Sequence, residues 1–159
     1  MCKHIGLFFC AMCALSIFLF CDCVGQTDGV QDGVSRMATA IVRDLHNDGP
    51  NAWLQYFSRS QQFFMASNGQ LVFRNYDSAT VFVHEYAKKV RRVDLTWNNI
   101  RIDSLAPNLA VMAASFSEIQ TFANGEQEAP AGYFTGIVEY TPSGWKLRNA
   151  HWSESCPQH

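Results

Sequence analysis

The sequence predicts an α+β fold, with helices gathered in the N-terminal half and one antiparallel sheet filling the rest. Three observations predict it. Apolar residues recur at three- and four-residue steps from Val30 to Leu45, the spacing of a helix face. From Val93 onward the chain reads as four extended runs separated by turn residues. The connections between those runs are of hairpin length, which makes neighbours antiparallel. Helices first and strands afterwards place the helices on one face of the sheet.

Each element has its own warrant. Val30, Val34, Met37, Ala38, Ile41, Val42 and Leu45 form one stripe, with Asp32, Arg36, Arg43 and Asp44 between them, an amphipathic helix of about five turns. Asn47-Asp48-Gly49-Pro50 stops it, and a short second helix follows, anchored by Trp53, Leu54, Tyr56 and Phe57. FFMAS-NG-QLVF is a hairpin, because Asn68-Gly69 suits a two-residue type I′ turn. A third helix runs from about Ser78 to Val90, with Ala79, Val83, Tyr86, Ala87 and Val90 inward. The runs 93–104, 109–122, 132–141 and 145–153 then build a meander, broken at Pro107-Asn108, at Asn124-Gly125 and at Pro142-Ser143-Gly144. The expectation is a four-strand meander plus a short hairpin, packed against three N-terminal helices.

Charge excludes one class of partner. The net charge is −2, with 16% charged residues, so no nucleic-acid partner is expected. Lys88, Lys89, Arg91 and Arg92 form the only basic cluster, and they are read as cations complementing a helix C-terminus.

Cysteine usage points to export. Five of the six cysteines fall within the first 23 residues, beside Lys3 and an uncharged run from Ile5 to Cys21, the n- and h-regions of a secretory signal. Cys23-Val24-Gly25 supplies small residues at −3 and −1, which puts the cut before Gln26. Residues 1–25 are then a signal peptide and 26–159 a single domain of 134 residues. Cys10-Ala-Met-Cys13 belongs to the discarded segment, and Cys156 has no intrachain partner in the mature chain. The expected location is secreted or periplasmic. A lipid anchor on Cys21 or Cys23, or an uncleaved helical anchor, is the alternative that would bring a membrane in as partner.

The order of elements resembles the nuclear transport factor 2-like superfamily, and the local signals resemble its SnoaL-like branch. They are "NDGPNAWLQYFS", the "NG" hairpin, "LAPNLAVMAASFSE" and the terminal "GWKLRNAHWSE", and the likeness covers residues from about 30 to 154. The resemblance implies a curved sheet closed by helices into a cone with an interior cavity, and a homodimer formed through the sheet. It does not imply a reaction, since the superfamily contains isomerases, dehydratases, hydrolases, cyclases and members without catalysis.

Sharper motifs fail. His84-Glu85-Tyr86-Ala87-Lys88 begins like a zinc-protease helix, but lysine stands where the second ligand belongs. No nucleophile elbow, phosphate-cradling loop or dinucleotide fingerprint occurs, so neither a metal nor a cofactor is expected.

The site candidates come from the last strand. By strict alternation Trp145, Leu147, Asn149, His151 and Ser153 share one face. That face starts apolar and ends polar, as it would if it ran from core into cavity. His151 is the candidate acid or base, with Asn149 and Ser153 beside it for a small ligand; the plain alternative is a histidine kept for packing. Trp53, Tyr56, Phe64, Tyr86 and Trp97 are read as cavity wall. Asp94, Asp103, Glu118 and Glu139 are read mostly as surface acids, and Tyr56, Tyr86 and Tyr133 as available hydroxyls. Arg148 and Trp152, on the opposite face, are expected at the dimer contact. Three functions stay open: a pocket for a small apolar or amphipathic molecule, an acid–base enzyme using His151, and a dimerisation domain whose cone is filled.

Overall fold

The computed structural model describes residues 25–155. The expected signal peptide, its cleavage site and Cys156 lie wholly or largely outside the described residues. Helix α1 spans Gly25–Asp48 and is followed by a 3-10 helix, Gly49–Gln55. The hairpin β1 (Phe64–Ser67) and β2 (Gln70–Phe73) precedes helix α2 (Tyr76–Lys89). The sheet continues with β3 (Val90–Ala106), β4 (Leu109–Phe122), the short β5 (Gln127–Glu128), β6 (Ala131–Thr141) and β7 (Gly144–Glu154). The expected short second helix is thus a 3-10 helix, which leaves two α-helices among the described residues where three helices were expected. Gly49 turns the chain at φ +67, and Pro50 then supplies the start of a segment too short to hold an α-helical ladder.

The turn residues act as expected. Asn68 and Gly69 both take positive φ, 48° and 80°, which a type I′ turn requires. Asn75 caps α2 two residues earlier than expected: its side chain accepts from the Ser78 backbone N–H at 2.9 Å, and Ser78 Oγ accepts from the Asn75 N–H at 3.2 Å. Those reciprocal bonds satisfy two donors of the first turn.

The strand order is β2-β1-β7-β6-β4-β3, with β5 paired to β4. Strands β3, β4, β6 and β7 are the expected antiparallel meander. The hairpin extends the sheet through a parallel pairing of β1 with β7. The sheet is curved and unclosed, and helix α1 fills its concave side with Val30, Val34, Met37, Ala38, Ile41 and Leu45. These pack with Val93, Leu95, Ala110, Met112, Val138 and Leu147 of the sheet in one hydrophobic core. Close approach is built in at Gly33, where a Cβ would sit 2.3 Å from the Trp145 indole nitrogen.

Two irregularities decide which side chains face inward. In β3 the register shifts between Asn98 and Arg101, with Asn99 at φ 53. In β7 it shifts at Arg148, because Val138 pairs with Leu147 while Ile137 pairs with Asn149. Arg148 is therefore an extra residue, a β-bulge, and parity reverses across it. Leu147 faces the core before the bulge; Ala150 does so after it. His151 is consequently exposed, on the face opposite Trp152. This corrects the expectation that His151, Asn149 and Ser153 point into the cone, and equally the expectation that Trp152 faces outward.

Candidate functional site

A cavity of about 330 Å³ opens between the sheet, the 3-10 helix, the hairpin and α2. Its aromatic wall centres on Trp152. That indole meets Phe116 edge-on at 4.8 Å and Trp53 edge-on at 5.6 Å, with Phe134 at 4.7 Å. Trp97 stacks behind it at 5.6 Å. Phe57, Met65, Val72, Phe82 and Val83 complete the apolar lining. Such edge-to-face packing fixes the ring positions, so the wall is preformed rather than collapsed.

The polar end is built by strand parity. Ala110, Met112, Ala114 and Phe116 alternate inward along β4 and are buried; Glu118 is the next residue in that line and reaches the cavity. Gln120, two residues further on the same face, donates to Glu118 Oε2 at 2.8 Å. Burial pushes the Glu118 carboxyl above its usual range; the Gln120 bond opposes this and Glu154 adds to it. Tyr86 and Glu154 line the same end. The Tyr86 phenol is pushed upward, first by burial and then by Glu118, Glu128 and Glu154. It therefore keeps its proton at neutral pH and is available as a donor.

Only part of the expected site assembles here. Trp53 and Tyr86 line the cavity, and Trp97 forms a second layer through Trp152. Tyr56 is buried elsewhere, its hydroxyl donating to Asp44. Phe64 is 44% exposed, because its neighbour Met65 takes the inward position on β1. Asn149, His151 and Ser153 stand on the other face of β7. Of the remaining described histidines, His46 pairs with Asp94 at 2.5 Å on the surface and His84 is exposed. Imidazole is thus absent from the cavity lining, and a carboxyl takes its place. Glu118, read from the sequence as a surface acid, is instead carried inward by the alternation that starts at Ala110. Trp152 and Glu154 were not legible, since the bulge at Arg148 has no signature in the sequence. Among the described residues no group of three His, Cys, Asp or Glu side chains is placed to hold a metal.

With this geometry in hand, comparison settles the lineage. The sequence matches the SnoaL-like domain family over residues 34–157. The chain belongs to that family. No match is found among curated proteins. Among solved structures, the SnoaL-like chain is similar to a scytalone dehydratase candidate from Novosphingobium aromaticivorans, with 13% identity, a TM-score of 0.71, and coverage of 83% of this chain and 88% of that one. It is similar to a nuclear transport factor 2-like superfamily protein from Salmonella enterica at 15% identity and TM-score 0.67, covering 84% and 94%. A candidate dehydratase of the same superfamily from Streptomyces avermitilis matches at 11% identity and TM-score 0.67, covering 81% and 99%. At these identities the likeness establishes the cone fold of the SnoaL-like chain.

Proposed function

We propose that the SnoaL-like cone binds a small, largely apolar molecule carrying one hydroxyl or carbonyl group. The observation that carries this reading is an open aromatic-walled cavity with its titratable groups, Glu118, Tyr86 and Glu154, at the polar end. Its volume sits at the lower end of the roughly 300–1,000 Å³ typical of ligand pockets, which suits a two-ring molecule. Titration with 2-naphthol, followed by tryptophan fluorescence, tests it. Saturable quenching that is lost in Val83→Trp, which fills the cavity, is expected; an unsaturable response identical in both proteins contradicts it.

A second reading, acid–base catalysis, is favoured by the raised pKa of Glu118. A carboxyl made more basic by burial can take a proton from carbon next to a carbonyl and return it. Tyr86, kept protonated, is the donor available to the enolate oxygen. The dehydratase candidates among the structural neighbours support chemistry of this general kind. A substrate-independent test is deuterium exchange at the α-carbon of cyclohexenone. Acceleration by the wild type, and its loss in Glu118→Gln, is expected; equal rates in the two proteins leave binding alone.

A further inference from the structure

A second cavity, of about 610 Å³, lies on the other side of Phe57, whose ring lines both. Its walls are the end of the 3-10 helix, the segment from Phe57 to Ser60, and the β6–β7 turn. Three charged side chains line it: Glu139, Arg59 and Lys146. Glu139 is already matched, since it accepts a hydrogen bond from Ser58 Oγ and lies 3.8 Å from Arg148 Nη1.

The two cations are not matched. Lys146 Nζ donates to the Gln55 carbonyl at 2.6 Å, and Arg59 lies 4.9 Å over the Tyr76 ring. Neither has a carboxylate at salt-bridge distance among the described residues. Burial and then the Arg59 charge hold the Lys146 ammonium below its usual range, the mark of a desolvated cation beside another cation.

We propose that this cavity is a second binding site, for a small organic oxyanion. Arg59 and Lys146 would hold the anionic head, and the body would rest on Leu54, Phe57 and Tyr140. The guanidinium fork suits the planar spread of oxygens on a carboxylate or phosphate. An anion here removes the repulsion between two cations. This site is independent of the aromatic cavity and its proposed ligand.

Benzoate and phenyl phosphate, each titrated into the folded chain and followed by amide NMR, test the proposal. Shifts centred on Ser58 to Ser60, Tyr140 and Lys146 are expected, with binding weakened about tenfold in Arg59→Met and in Lys146→Met. Added 2-naphthol should not compete. Whichever anion binds more tightly identifies the head group, carboxylate or phosphate. The proposal is overturned if neither anion shifts those wild-type amides at millimolar concentration, or if both variants bind as the wild type does. The wild-type map keeps the test decisive even where a variant fails to fold.

Discussion

Glu118 is the residue whose surroundings are most at odds with its charge. Its carboxyl faces Tyr86, Glu154 and the Gln120 amide inside an apolar cavity. Its pKa is raised on folding, chiefly by burial, so the folded state binds its proton more tightly than the unfolded chain does. The stability that this proton supplies is complete below the unfolded pKa and is lost as pH rises through the folded one. Glu118→Gln should therefore melt higher than the wild type above neutrality, and the gap should close in mild acid. Thermal melts across that range check it; a variant less stable than wild type above neutrality would count against the assignment. Trp152 is the matching apolar case. It touches Trp53, Trp97, Phe116 and Phe134, so Trp152→Ala should cost about 3 kcal/mol in urea unfolding. A cost under about 1 kcal/mol would mean the indole sits at the surface instead.

At the scale of the element, the single extra residue in β7 decides which side chains meet the ligand. Deleting Arg148 would remove the extra residue and leave a regular strand, with Leu147, Ala150 and Trp152 still inward and opposite the same partners on β6. Because the pairing to β6 is then continuous on both sides of the former bulge, the deleted chain should keep its cooperative melt. Loss of the cooperative transition would show that the bulge itself is needed to seat the strand. This is also where the sequence stops being informative. The alternation along β4, the Asn68-Gly69 turn and the stripe on α1 are local, and each could be read from its own residues. The bulge in β7 is imposed by pairing to β6 and β1, partners far away in the chain. Parity counted from Trp145 and Leu147 was thus correct up to Leu147 and inverted beyond it. The 3-10 helix has the same origin, since Gly49 is fixed by its close approach to the Arg91 carbonyl, a tertiary contact.

For the whole molecule, the fold class, element order and cone were legible because they depend on periodicity and on the resemblance of the terminal strand. The cavity's polar end was legible only in part, as Glu118 and Tyr86 come from elements separated by two strands' length of chain. A homodimer through the outer face of the meander remains our proposal, with Tyr133 and His151 replacing Trp152 at its centre. Tyr133 is 47% exposed there. Sedimentation should give a dimer for the wild type and a monomer for Tyr133→Asp, whereas a wild-type monomer at high micromolar concentration contradicts it. The central claim, that the cone is a preformed ligand cavity, has a more direct test in methyl NMR. Met65, Val72 and Val83 line the cavity, while Val34, Ile41 and Leu45 lie in the core beneath α1. Titration with 2-naphthol should shift the first three methyl sets and leave the second three in place. Unmoved Met65, Val72 and Val83 methyls at saturating ligand, or shifts spread evenly over both sets, would contradict the account.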